Sequence, residues 1–240
     1  MRRSLDEQPV VIFGGFLSVP SVYWAMRDRL AEMTGQPVRI VDAWIHDWVR
    51  STTRAGWANL LGKLERAVRQ LVRQSPTGKV TLVGHSSGGV VGRLYLSDRP
   101  FLGHTYAGLE CVDWLITLGS PHHNRHGGQM RRWVDQQYPG AYFPPQVQYV
   151  CVAGKMVRGK GDGSIAQRLA YRFYGRLSGA GDAWGDGLVP IASAILPGSR
   201  PIVLEGVSHF GLSRVPWYGS AEVIAKWWAA ATVDEPADAG

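Results

Sequence analysis

Residues 79–89 read Lys79-Val80-Thr81-Leu82-Val83-Gly84-His85-Ser86-Ser87-Gly88-Gly89, and this stretch decides the fold. The apolar, β-branched run Val80 to Val83 predicts a buried strand. It drives straight into Gly84-His85-Ser86-Ser87-Gly88, a G-x-S-x-G pattern. The segment Val90-Val91-Gly92-Arg93-Leu94-Tyr95-Leu96 then reads as a helix. Strand, sharp turn and helix together are the setting in which G-x-S-x-G forms a nucleophile elbow. Gly84 and Gly88 have a mechanical reason: the turn brings neighbouring backbone so close that a Cβ at either position would clash. The turn presents the Oγ of Ser86 at the top of a sheet. It also leaves the backbone N–H of Ser87 at a helix start, facing the place where an oxyanion would form. A strand-to-helix turn without chemistry carries the same short pattern, so the reading depends on partners elsewhere in the chain.

Outward from this stretch, short apolar runs alternate with helical patterns. Gln8 to Phe13 reads as a buried strand that ends in Gly14-Gly15, and a helix follows from near Val19 to about Met33. Pro37 to Val41 is the next strand. Trp57, Leu60, Leu61, Leu64, Val68, Leu71 and Val72 fall at helical spacing, which predicts an amphipathic helix over Thr53 to Gln74. Further strands are expected at Val112 to Leu118, Gln146 to Ala153 and Pro201 to Leu204, with a final helix over Ser220 to Ala231. Strands separated by helices imply an α/β fold: a mostly parallel central sheet with helices on both faces. Residues 122–185 are irregular and rich in glycine and aromatics, and contain a helical pattern from Ser164 to Leu177. They read as a lid-like or cap-like insertion over the sheet's C-terminal edge, within a single domain spanning 1–240. Residues 233–240 read as a disordered tail.

Composition sets bounds. At 240 residues and 45% apolar the chain suffices for one α/β domain with a full core. A formal net charge of +7 favours anionic surfaces, but the basic residues are scattered and no nucleic-acid motif accompanies them, so nucleic-acid binding is not expected. Cys111 and Cys151 lie far apart and read as reduced thiols. The N-terminal residues do not resemble a signal peptide and no apolar stretch is long enough to span a bilayer, so the expected location is cytoplasmic.

A serine hydroxyl needs a base to take its proton, and the base needs a carboxylate to orient it. In this type of sheet the chain order is Ser, then Asp or Glu, then His. Histidines that follow Ser86 are His104, the group His122, His123 and His126, and His209. His209 follows the last predicted strand, and the loop there returns over the top of the sheet. It is the expected base, although a surface-loop histidine would look alike. Asp186, in Gly185-Asp186-Gly187-Leu188-Val189-Pro190, is the expected acid. An Asp between glycines is also a common turn, and Asp182 and Glu205 compete with it.

These residues resemble the α/β-hydrolase superfamily of the serine lipase and esterase type, nearest the branch that holds bacterial triacylglycerol lipases and GPI inositol-deacylases. The resemblance is carried by Gly84-His85-Ser86-Ser87-Gly88-Gly89, Gly119-Ser120-Pro121-His122, Asp186-Gly187-Leu188-Val189-Pro190 and Ser208-His209, in the family's order. It implies Ser86 as nucleophile, Asp186 as acid, His209 as base, and the Phe16 N–H as a second oxyanion donor beside Ser87. It also implies a carboxylic ester, lipid or other acyl substrate and no cofactor. Gly14-Gly15 stands where the family has His-Gly. The length is short for a secreted lipase, which points away from extracellular fat digestion. Acyl transfer or thioester hydrolysis on the same residues is an alternative, and so is a non-catalytic binding module on this fold.

Four further features stand outside this set. His122, His123 and His126 match no metal-site spacing and have no neighbouring carboxylate in sequence, so no metal is expected. His85 reads as packing beside the nucleophile. In the helix from Ser164 to Leu177, Ile165, Leu169, Phe173 and Leu177 form one stripe and Arg168, Arg172 and Arg176 another. Such a helix is suited to peripheral contact with an anionic membrane; a helix packed on the domain with its arginines in water is the favoured plain reading. Tryptophans near 133 and 184 are candidates for lining an acyl pocket.

Overall fold

The computed structural model describes residues 4–125, 128–211 and 215–233. In chain order the elements are β1 (Val10–Phe13), α1 (Trp24–Thr34), β2 (Val38–Ile40), α2 (Ile45–Arg50), α3 (Arg54–Val72), β3 (Val80–His85), α4 (Ser87–Tyr95), α5 (Gly108–Cys111) and β4 (Val112–Leu118). There follow α6 (Gln129–Gln137), β5 (Gln148–Lys155), β6 (Val157–Arg158), α7 (Ile165–Ser178), β7 (Trp184–Gly185), α8 (Ile191–Ala194), β8 (Arg200–Glu205) and α9 (Ala221–Thr232).

Six strands form one sheet in the order β2-β1-β3-β4-β5-β8. Every pairing in it is parallel. The four central strands carry near-continuous apolar runs because both faces are covered. Along β1, Val11 and Phe13 enter one core with α3 and α4, while Val10 and Ile12 enter the other with α1 and α9. The period of two thus feeds two cores at once. Trp57, Leu60, Leu61, Leu64, Val68 and Leu71 make the inner face of α3, and the Thr53 hydroxyl caps its start by accepting the Gly56 N–H at 3.1 Å. On the opposite side Trp227 of α9 is fully buried. Truncating it to alanine would remove about 3–5 kcal/mol of stability.

The stretch 122–185 is not one continuous excursion, because β5 of the central sheet runs through it. Two separate excursions result, one carrying α6 and the other carrying β6, α7 and β7. The strands β6 and β7, with α7 between them in the chain, pair antiparallel in a sheet of their own. Its two-residue strands are too short to give a periodic signal in sequence. The helix α2 also has no counterpart in the sequence reading. The expected tail, beyond Val233, lies outside the described residues. No described helix is long and apolar enough to cross a membrane. Cys111 and Cys151 are buried free thiols.

Candidate active site

All parallel strands point their C-terminal ends the same way, and the loops that leave those ends meet at one place. β3 delivers Ser86, the turn after β7 delivers Asp186, and the loop after β8 delivers His209. Ser86 sits at φ 53°, ψ −126°, a region that side chains rarely adopt. Its N–H is held by the Leu118 carbonyl at 2.9 Å. The bend is possible because its neighbours lack side chains: a Cβ on Gly84 would lie 2.4 Å from the Gly89 Cα, and one on Gly88 would lie 2.3 Å from the Phe13 oxygen.

The three side chains lie in one line. His209 Nε2 is 3.1 Å from Ser86 Oγ, and His209 Nδ1 is 2.7 Å from Asp186 Oδ2. All three are buried. The Asp186 N–H···O turn to Val189 explains why this Asp looks like a simple turn residue in sequence. Its Oδ1 caps that turn, accepting the Leu188 and Val189 N–H groups at 3.0 and 2.7 Å. That leaves Oδ2 to face His209 and the Tyr218 hydroxyl. A second strap joins the two loops, with the His209 N–H donating to the Asp186 carbonyl at 2.9 Å.

The competitors lie elsewhere. Asp182 is exposed and paired with Arg158, Glu205 is exposed and paired with Lys155, and His104 bonds Glu65. His122 is buried against Thr117. His123 has a carboxylate partner in space, Asp135, at 3.1 Å, although none stands beside it in sequence. The fold brings α6 back onto this loop, and sequence spacing cannot reveal that. His126 lies outside the described residues. Among the described residues no group of three or more potential ligands is arranged for a metal.

His85 does more than pack. Its Nδ1 lies 2.8 Å from the Tyr23 hydroxyl, and its Nε2 lies 3.2 Å from the His209 carbonyl. A carbonyl only accepts, so Nε2 carries the proton and Nδ1 accepts from Tyr23. Burial first, then the nearby His209, push the His85 pKa well below its ordinary value and keep the ring neutral. Tyr23 in turn accepts the Gly15 N–H at 2.9 Å. This chain of bonds ties the loop after β1 to the loop that carries His209. Gly15 presses on Ser86 so closely that a Cβ there would come 2.8 Å from the Ser86 Cβ. That contact holds Phe16 beside Ser86. Neither the Phe16 nor the Ser87 N–H meets an acceptor among the described residues.

Ser86 opens into a cavity of about 780 Å³. Phe16, Leu17, Phe173, Leu177, Phe210 and Trp217 give it apolar walls. Trp133 and Trp184 do not line it. Trp133 packs, partly buried, against Phe101 at the edge of the core, and Trp184 is exposed beneath Lys155. Tyr23, Tyr218, Trp217 and Arg131 also reach the site or its supports. The sequence carries no motif around any of them.

The family model described as the PGAP1-like alpha/beta domain matches residues 57–129, which hold most of α3, the elbow and β4. Solved structures resemble the whole chain. The lipase BlEst2 of Bacillus licheniformis in its mature form superposes with a TM-score of 0.63 at 18% identity, over 95% of this chain and 93% of that one. The lipase of Staphylococcus hyicus superposes with a TM-score of 0.57 at 12% identity, over 93% of this chain and 94% of that one. A hydrolase of the α/β superfamily from Xanthomonas campestris pv. campestris gives 0.53 at 16% identity, over 93% and 96%. This chain has the α/β-hydrolase fold. A search of curated proteins finds no match. In an α/β-hydrolase the C-terminal edge of the sheet is where loops vary and ligands bind, and that is where Ser86, Asp186 and His209 converge.

Proposed function

We propose that the protein is a serine hydrolase acting on carboxylic esters with an apolar acyl chain. The observation that carries this reading is the unbroken line from Ser86 Oγ through His209 to Asp186 at the floor of an apolar cavity. Ser86 Oγ attacks the ester carbonyl while His209 Nε2 takes its proton. Asp186 holds the Nδ1–H tautomer and stabilises the imidazolium. The Phe16 and Ser87 N–H groups receive the oxyanion of the tetrahedral intermediate. Collapse releases the alcohol, which takes the proton from His209. Water, deprotonated by His209, then attacks the acyl-enzyme; collapse frees the acid as His209 returns the proton to Ser86 Oγ.

The same reading includes a lipid surface as partner. The stripe Ile165, Leu169 and Phe173 on α7 is exposed, and the helix instead packs through Ala170 and Tyr174. This reverses the packing face that hydropathy alone would choose. Arg168, Arg172 and Arg176 are exposed on the same helix. Phe173 and Leu177 continue into the cavity wall. Apolar and cationic groups thus stand together at the cavity mouth, which suits peripheral contact with an anionic membrane.

Hydrolysis of p-nitrophenyl esters from C2 to C16, with wild type and Ser86→Ala, tests the enzyme reading alongside labelling by a fluorophosphonate. Activity lost in Ser86→Ala together with wild-type labelling is the expected result. An unlabelled, inactive wild type would leave a binding module on a hydrolase fold.

A further inference from the structure

The cavity wall carries charge of one sign only. Among its lining residues Arg131 and Arg176 are cationic, and none is Asp or Glu. The Asp186 carboxylate lies behind His209 and is occupied by its own donors. Arg176 sits exposed at the mouth. Arg131 is different: it is part-buried and donates from Nη2 to the Ser87 Oγ at 2.8 Å. Ser87 is the residue next to Ser86, so this guanidinium stands beside the reacting centre.

Its position is unfavourable for the folded chain alone. No carboxylate among the described residues lies within ion-pair distance of Arg131, although Arg27, Arg69, Arg93 and Arg158 each have one. Burial lowers its affinity for its proton below the ordinary arginine value. It also sits in the first turn of α6, which holds no acidic residue, so the helix dipole opposes its charge. A guanidinium has five N–H donors, and a neutral hydroxyl satisfies only one of them.

We propose that Arg131 is a specificity-determining residue whose guanidinium binds a carboxylate or phosphate group carried by the ester substrate. This rests on the ester-hydrolase reading and narrows it to anionic esters. The planar fork matches either oxyanion in a two-bond contact, and the apolar walls take the remaining chain. Arg176 adds attraction at the entrance.

The first test needs no turnover. Binding of octyl phosphate, octanoate and octanol to Ser86→Ala is measured by calorimetry. At least one anion is expected to bind about 10-fold tighter than octanol, as a charged hydrogen bond implies. Whichever of the two anions it is identifies the group. Arg131→Gln in the same background is expected to abolish the preference, and Arg131→Lys to keep part of it. Thermal unfolding checks that each variant folds. Equal binding of anion and alcohol, no binding of any of the three, or a preference that survives Arg131→Gln would overturn the proposal.

The second test uses the enzyme itself, with mono-4-nitrophenyl glutarate against 4-nitrophenyl pentanoate. The kcat/KM ratio of the two is expected to fall about 10-fold in Arg131→Gln, carried by KM. An equal loss on both esters would make Arg131 a support for Ser87 and sink the assignment. Both esters inert, with no fluorophosphonate labelling, would instead remove the hydrolase reading, while the calorimetry still decides on the anion.

Discussion

Tyr218 donates its hydroxyl to Asp186 Oδ2 at 2.9 Å, and this is the same oxygen that faces His209 Nδ1. The phenol oxygen accepts the Gly154 N–H at 2.7 Å, so it is fixed from the sheet side. Burial first, then the Asp186 charge, push the Tyr218 ionisation well above its ordinary range, so it remains a donor at any working pH. The Asp186 carboxylate therefore accepts four hydrogen bonds, which fix its orientation.

Tyr218→Phe removes one of these donors and keeps the ring. A hydrogen bond to a charged acceptor contributes roughly 1.5 kcal/mol or more, so kcat/KM on p-nitrophenyl butyrate is expected to fall at least about 10-fold. Steady-state kinetics and the rate of fluorophosphonate labelling check it together. An unchanged rate would show that Asp186 is held well enough by its own turn.

Ser86→Gly is expected to stabilise the protein while abolishing hydrolysis. The serine is held at φ 53°, ψ −126°, which glycine adopts without strain. Relief of such strain contributes on the order of 1–2 kcal/mol. In a chain of this size 1 kcal/mol raises Tm by about 2–4 °C. Thermal unfolding against Ser86→Ala separates the backbone effect from the loss of the hydroxyl, since alanine keeps the strain. A Tm for Ser86→Gly at or below that of Ser86→Ala would contradict it.

How much of this was legible beforehand follows from range in sequence. The elbow is local: strand, turn, glycines and helix are contiguous, so residues 79–96 announce their own geometry. Asp186 and His209 were readable as types in the right order, because strand ends converge in a parallel sheet. The bonds that join them depend on the turn at Asp186–Val189 and on Tyr218, and no pattern encodes those. Tyr23 and His85 form a link between loops that only meet in three dimensions. The stripe on α7 is legible as apolar in sequence, but which face of the helix packs is not. Hydropathy reports what a residue prefers, and Ala170 and Tyr174 won the interface by shape. Arg131 looks like any surface arginine until α6 folds over α4.

The exposed stripe carries its own prediction. Wild type is expected to co-sediment with phosphatidylglycerol vesicles and much less with phosphatidylcholine vesicles. Ile165→Glu with Leu169→Glu is expected to weaken that binding at least about 10-fold, since two apolar anchors are lost and two like charges are added against the lipid. Activity on water-soluble short-chain esters reports whether the variant is folded. Equal sedimentation of wild type and variant would show that α7 does not meet the membrane.

Stability is expected to fall on mild acidification, and two buried histidines set the window. Burial is the main cause that puts His85 and His122 well below their ordinary value near 6.5; His209 adds to it for His85, and Arg93 then His123 for His122. Both stay neutral in the fold, whereas the unfolded chain takes up a proton at each below about pH 6.5. The unfolded state then binds more protons, so stability is fully present above pH 6.5 and declines as pH drops toward the folded values. Well inside the window each group contributes a slope of about 1.4 kcal/mol per pH unit, or about 2.7 for the pair. Carboxylates act in a different range. Burial alone would raise Asp47, Glu65 and Asp135, but hydrogen bonds from Lys63, His104 and His123 outweigh it and hold all three below their ordinary values. Their contribution is present above about pH 4 and is lost only below that. Urea midpoints at pH 7.5, 6.5 and 5.5 therefore isolate the histidines, with little change in the first interval and a clear drop in the second. His122→Asn is expected to be less stable at pH 7.5, because the Thr117 contact is lost, yet to show about half the wild-type decline between 6.5 and 5.5. An unaltered decline in that variant would assign the acid sensitivity to groups other than His122.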